Sequence, residues 1–209
     1  MLDARLSFLE DRIGKQRKHA EIWWGSWLTF YTMGAIVQSA RALDAKEPAE
    51  RADLWISTAK ATFGVVSYMA QPFRGIEGFE PVPTTHMGRA RKEERVRQGE
   101  RVLVHNADKT HKFGPWYAHV INIGINGLGG AIVAIGFDDP RTGLISAGIG
   151  AAVGEVAIFT APWEADDDLE EYKTRFGRSG DVALARPTTP TVEWKVRPTA
   201  NGALLVGNF

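Results

Sequence analysis

Four apolar runs alternate with charged segments along the chain. The runs are Ile22–Ala40, Leu54–Pro72, Trp116–Phe137 and Leu144–Pro162. Each run is close to the roughly 20 residues that a helix needs to cross a hydrocarbon core about 30 Å thick. A short polar turn, 138–143, separates the last two runs. The pattern therefore predicts an all-α membrane protein, a four-helix bundle made of two tandem helical hairpins.

Polar side chains interrupt the apolar runs, which leaves a second interpretation open. Lys60, His119 and Glu155 are examples, and the mean hydropathy of −0.19 is low for a membrane protein. A soluble bundle of long helices, buried on most faces, would also accommodate such residues. Aromatic residues favour the membrane, because Trp and Tyr concentrate where lipid meets water. They stand at the ends of the runs: Trp23, Trp24, Trp27, Trp55, Trp116, Tyr117 and Trp163.

Basic residues predict the orientation, because positively charged flanks stay on the cytoplasmic side. The N-terminal segment 1–21 and the middle segment 73–115 are rich in Lys and Arg, whereas the turn 138–143 has only Arg141. We therefore expect a membrane location with both termini in the cytoplasm. If a targeting segment has been removed before Met1, a periplasmic or outer-membrane-associated protein is the alternative.

The apolar runs divide the chain into five predicted segments. These are an amphipathic N-terminal helix (1–21), a first helical hairpin (22–73), a polar connection with a charged helix (74–112), a second helical hairpin (113–163) and a polar tail (164–209). In the first segment one apolar stripe has helical spacing, formed by Leu2, Leu6, Leu9 and Ile13. The charged helix is expected to present a solvated face, and a basic arm for anionic lipid or nucleic acid is the alternative.

The polar tail contains signals for a short helix and for two strands. Asp166-Asp167-Asp168 is expected to cap a helix at Leu169–Phe176, because acidic groups suit the positive end of a helix. Farther on, apolar and charged residues alternate around Trp194, and Asn201-Gly202 is a turn signal. These features predict a small C-terminal β-hairpin.

Two shifts of the sequence against itself suggest an internal duplication. A shift of 90 residues places GVVSYMAQPF over GEVAIFTAPW, and a shift of 96 residues places Gly34–Val37 over Gly130–Val133. The two shifts agree only if the loop of the second hairpin is six residues shorter. Chance similarity among Gly, Ala and Val is the alternative.

Small residues distinguish the second hairpin from the first. Gly130 and Ala134 stand four residues apart, as do Gly150 and Gly154. Such pairs let helix backbones approach closely in lipid. We therefore expect these four residues to form a tight helix contact or an oligomer interface.

Five polar residues within the apolar runs are candidates for a ligand site or an ion path: Lys60, His119, Asn122, Asn126 and Glu155. Charge at membrane depth is costly, and is usually paired or functional. Lys60 and Glu155 are predicted to differ in depth by a distance that a lysine stem can largely cover. The structural alternative is a buried pair that fixes helix register, together with hydrogen bonds between helices.

Composition and spacing exclude several classes of function. The 25 basic residues balance 25 acidic ones, so nucleic acid is not an expected partner. The chain has no Cys, which excludes disulfides, thiolate zinc sites and cysteine nucleophiles. Only one histidine, His119, lies within an apolar run, so haem between two axial histidines is not expected, nor is any metal or other cofactor. The glycines of 148–154 depart from the dinucleotide-binding spacing.

The predicted function is that of a non-enzymatic integral membrane protein, because no complete catalytic set is present. A structural or assembly subunit of a membrane complex fits best, with membrane lipid around it and a protein partner or a second copy docked on it. The alternative is a module that binds or transports a small molecule, lipid or ion at the polar face near His119 and Glu155.

Overall fold

Six α-helices account for most of the residues that the structure, a computed structural model, describes. The described residues are 1–83, 85–112, 115–177, 193–199 and 202–208. The helices are α1 Leu2–Asp44, α2 Pro48–Ala70, α3 Arg89–Lys112, α4 Pro115–Gly136, α5 Pro140–Phe159 and α6 Ala165–Phe176. The fold is therefore helical, as the apolar pattern predicts.

Helix α1 is continuous for 43 residues and passes through the predicted boundary between residues 21 and 22. The expectation of a separate N-terminal helix is wrong in this respect. No proline interrupts the helix, and Ala20 and Glu21 at the boundary both favour helix. At 1.5 Å per residue the helix is about 65 Å long, roughly twice the thickness of a hydrocarbon core.

The first half of α1 packs with α3 and α6, and we call this unit the head. Its core is apolar and buried: Leu6, Phe8, Leu9, Ile13, Phe79, Val96, Leu103, Val104, Ala107, Ala165, Leu169 and Tyr172. Three members of the predicted α1 stripe are fully covered, and Leu2 packs at its edge. The charged helix α3 thus also contributes an apolar face to the core of the head, in addition to the solvated face that was predicted.

The second half of α1 pairs with α2, and α4 pairs with α5. Contacts between the two pairs run mainly through α2, which touches both α4 and α5. We call this unit the apolar half. The two long apolar helices α4 and α5 form a hairpin, as predicted.

The two hairpin loops, 45–47 and 137–139, have the same length. The shorter second loop that the duplication argument required is therefore wrong. In both loops an acidic residue precedes a proline that begins the next helix, at Glu47-Pro48 and Asp139-Pro140. Proline suits this position because the first N–H groups of a helix need no partner within it.

The second loop has a side-chain cap. The Asp139 carboxylate accepts a hydrogen bond from the Thr142 backbone N–H at 3.0 Å and another from its hydroxyl at 2.7 Å. These bonds, the backbone one first, lower the pKa of Asp139. Thus α5 starts at Pro140, inside the segment 138–143 that was predicted to be a turn.

A sharp turn leads the chain from α2 back to the head. A short 3₁₀ turn, Pro72–Gly75, follows α2, and Phe73 and Arg74 have φ values of 53° and 54°. Such backbone conformations are unusual for residues with side chains. The Arg17 guanidinium lies 3.9 Å from the centre of the Phe73 ring, and this contact ties the turn to α1.

The tail helix α6 begins at Ala165, four residues before the predicted start. Glu164 occupies the N-cap, so the three aspartates lie in the first turn of the helix. The expectation that they precede the helix is wrong. They still face the positive end of the helix dipole. Two strands, β1 Glu193–Thr199 and β2 Gly202–Asn208, pair antiparallel. Asn201 of the predicted turn lies outside the described residues.

Candidate functional site

The five candidate polar residues form one chain of hydrogen bonds across α2, α4 and α5. Lys60 Nζ donates to Asn126 Oδ1 at 3.1 Å. Asn126 Nδ2 donates to Asn122 Oδ1 at 2.9 Å, and Asn122 Nδ2 donates to Glu155 Oε1 at 2.9 Å. His119 Nδ1 contacts the other oxygen of Glu155. The structure therefore brings all five residues together.

Two asparagines separate the two charged residues of this polar chain. Lys60 meets a neutral amide, and Glu155 is held by Asn122 and His119. The amides also bond to the backbone, since Asn122 Nδ2 donates to the Ala151 carbonyl at 2.9 Å. Lys60 and Glu155, which were expected to approach each other, are thus linked through Asn126 and Asn122. These hydrogen bonds hold α2, α4 and α5 against one another.

Glycines on α5 provide the space for these asparagines. A Cβ on Gly150 would lie 2.8 Å from Asn126 Cγ, and one on Gly154 would lie 2.7 Å from Asn122 Nδ2. Both distances are below the 3.0 Å that Cβ atoms essentially never cross. The pair predicted to serve helix packing therefore also makes the polar chain possible.

The other small pair lies at the backbone contact between α4 and α5. A Cβ on Gly130 would meet the Gly143 carbonyl oxygen and would lie 2.7 Å from Ala147 Cβ. A Cβ on Gly143 would lie 2.9 Å from Ala134 Cβ. The small residues thus face each other within one hairpin. Gly143 was missed because the sequence places it in the turn.

A groove of about 640 Å³ lies between the two helix pairs. The polar residues of α2 that line it share one face at spacings of four, three and seven: Asp53, Ser57, Lys60 and Ser67. Apolar side chains form much of the remaining wall: Phe30, Phe63, Ile125, Ile145, Ile149 and Val153. The volume falls within the range of small-molecule sites.

Aromatic residues gather where the apolar half meets the head. Trp23 Nε1 donates to the Ala157 carbonyl at 3.0 Å, and Trp24 Nε1 donates to the Tyr68 carbonyl at 2.8 Å. These bonds tie the middle of α1 to the ends of α2 and α5. The indole N–H groups of both tryptophans thus have hydrogen-bond partners within the protein.

A second polar network lies inside the head and was not predicted. Gln16 Nε2 donates to Asp168 Oδ2 at 2.6 Å, and Asn106 Nδ2 donates to Gln16 Oε1 at 3.0 Å. Arg12 lies 3.3 Å from Asp168. All but Arg12 are buried. Gln16 follows the apolar stripe by three residues, a spacing that could have placed it on the buried face.

The head should lose stability as the pH rises through the titration of Asp168. Burial raises the pKa of this carboxyl, although Gln16 and Arg12 oppose the shift and Glu171 and Glu164 add to it. Because the pKa of Asp168 is higher in the folded state, the group contributes to the free energy of unfolding. This contribution is full below the unfolded-state pKa of about 3.9 and is lost as the pH rises above the folded-state pKa. Asp168→Asn should flatten this loss, measured by hydrogen exchange of α6 at several pH values. Parallel profiles for the two proteins would contradict it.

The arrangement suits the recognition of a polar group better than proton transfer. Asparagine amides donate and accept hydrogen bonds but do not titrate, so the chain from Lys60 to Glu155 is a poor proton relay. Among the described residues, no further His, Asp or Glu joins His119 and Glu155 to complete a metal-binding group of three.

No protein-family model, no curated protein and no solved structure matches this chain.

Proposed function

We propose that the chain is a non-enzymatic integral membrane protein, a structural or assembly subunit that holds its head at the surface of a bilayer. The observation that carries the proposal is the continuity of α1. One helix contributes Leu6, Leu9 and Ile13 to the core of the head and then continues into the apolar half. A rigid element shared by a polar and an apolar unit suits a protein that positions one relative to a membrane.

Exposed apolar surface supports the membrane placement. Trp116–Gly136 and Pro140–Phe159 are long and apolar enough to cross a bilayer, yet only 22% and 11% of their most apolar windows are buried. A core helix of a soluble protein would be mostly covered. The exposed side chains are large: Trp116, Val120, Ile123, Leu128, Ile135, Leu144, Ile149 and Phe159. A continuous surface of this kind marks contact with lipid or protein.

The α1–α2 pair is proposed to lie in the same layer. Exposed apolar residues continue along it: Ile22, Phe30, Met33, Ile36, Val37, Phe63, Val66 and Met69. At 1.5 Å per residue, α2, α4 and α5 are each about 30–35 Å long, which matches the hydrocarbon core. These observations support a four-helix membrane bundle, with its basic flanks and the head on the cytoplasmic side.

Extraction from membranes tests both parts of the proposal. The full-length chain should stay with membranes after an alkaline carbonate wash. When it is released with its surrounding lipid and the lipid mass is subtracted, the protein mass of each particle should exceed that of one 23.0 kDa chain, because an assembly subunit is bound to partners or copies. Recovery in the aqueous phase without detergent would overturn the membrane placement. A single chain in its lipid patch would overturn the assembly role alone.

A binding module is the second candidate, favoured by the groove and its polar floor. Structural hydrogen bonds between helices do not require an open cavity beside them. A lysine that lines a groove of this size supports recognition of a ligand from the membrane.

A further inference from the structure

The groove contains a cation whose hydrogen-bond partner is neutral. Lys60 stands near the middle of α2, and its ammonium carries three N–H donors. One of them meets the Asn126 amide oxygen. Glu155, at the far end of the polar chain, is already engaged by Asn122 and His119. The hydrogen-bond partner of Lys60 is therefore uncharged, and an anion beside the ammonium would be stabilised.

The nearest acidic side chain lining the same face of α2 lies toward one end of the groove. Asp53 precedes Lys60 by seven residues, a rise of about 10 Å along the helix. Asp53 acts on the Lys60 ammonium electrostatically, but among the described residues no hydrogen bond or ion pair joins the two side chains. The donor positions of Lys60 that Asn126 does not occupy are therefore not taken by Asp53.

The surroundings of Lys60 match an amphiphile. Ser57, one turn before Lys60, supplies a hydroxyl, whereas Phe63, Ile145 and Ile149 supply apolar walls. Glycines keep the ammonium close to the floor, since a Cβ on Gly150 would lie 3.4 Å from Lys60 Nζ. Polar and apolar contacts are thus available side by side to one ligand.

We propose that the groove binds a fatty acid, with its carboxylate at Lys60 and its alkyl chain along the apolar walls. The proposal rests on the membrane placement of the apolar half. A carboxylate fits because it supplies one negative charge in a small head that can sit at mid-depth. The phosphate of a phospholipid stays at the lipid–water interface, about 10 Å or more from this lysine.

Equilibrium binding of dodecanoate to the full-length chain in lipid nanodiscs tests the proposal. Wild type should bind it saturably, and Lys60→Met should bind at least about tenfold more weakly, because a charge-assisted hydrogen bond is lost. Lys60→Arg should retain most of the affinity. Lys46→Met is the matched control, since Lys46 is exposed in the first hairpin loop, and it should bind like wild type. Dodecanol should not discriminate between wild type and Lys60→Met.

A groove-filling variant keeps the test decisive if Lys60→Met does not fold. Ile149→Trp adds bulk to the wall without changing the polar chain, and it should also weaken dodecanoate binding about tenfold or more. Equal dodecanoate binding by wild type and a folded Lys60→Met would overturn the proposal. The proposal would also be overturned if Lys60→Met weakened the binding of dodecanol as much as the binding of dodecanoate. A chain that never enters the nanodisc would instead refute the membrane placement.

Discussion

Gly130→Ala should destabilise the α4–α5 hairpin, whereas Gly127→Ala in the same helix should not. A Cβ on Gly130 collides with the Gly143 backbone, which cannot move aside as a flexible side chain can. Overpacking of this kind costs about 1–3 kcal/mol. A Cβ on Gly127 meets nothing within 4 Å, so alanine there should be neutral or should gain up to about 1 kcal/mol of helix propensity.

The two alanine variants differ in the expected sign of their effect, which makes the comparison informative. Reversible unfolding of the detergent-solubilised protein in increasing SDS would measure both, with loss of helical circular dichroism as the signal. Gly130→Leu should abolish the folded hairpin altogether, because a larger side chain cannot fit against a backbone carbonyl. Equal tolerance of alanine at positions 130 and 127 would show that the close helix contact is absent.

Tyr172→Ala should unfold much of the head. The side chain is fully buried, with its ring 5.5 Å from that of Phe8 and 5.2 Å from that of Phe176. Removing a buried aromatic ring costs about 3–5 kcal/mol. Its hydroxyl also donates to Glu100 at 2.7 Å and accepts from Arg5 Nε at 2.8 Å, so the substitution breaks a polar link as well.

Tyr172→Phe separates the two contributions, because it keeps the ring and removes only the hydroxyl. It should cost about 1–3 kcal/mol, the usual penalty when buried polar partners lose a hydrogen bond. Hydrogen exchange of α3 and α6 amides in the full chain reports on the head without a tryptophan signal from the apolar half. Protection unchanged by Tyr172→Ala would mean that the head does not rely on this core.

The apolar half could be anticipated because its signals are local. Apolar runs of membrane length locate the helices, and spacings of three and four put His119, Asn122 and Asn126 on one face of α4. Charge within those runs singles out Lys60 and Glu155. What spacing could not supply is the distance between helices, so the insertion of two asparagines between the charges emerged only from the packed structure.

The head was harder to anticipate because its contacts join distant parts of the chain. Arg5 reaches Glu100, and Gln16 links Asn106 to Asp168. Each partner looks like an ordinary solvated polar residue within its own segment. The break expected at residue 21 failed for a related reason, since a change from polar to apolar composition alters the surroundings of a helix but does not stop its backbone from continuing.

The uninterrupted α1 sets the direction in which the head faces. Each residue in a helix turns the chain by about 100°, so losing a single residue between Gln16 and Trp23 would swing the head about a third of a turn and lower it by about 1.5 Å. The contact of His19 with Glu164 and the bond from Trp23 to Ala157 could not both survive. The number of residues in α1 thus determines how the head is rotated about the axis of this helix relative to the apolar half.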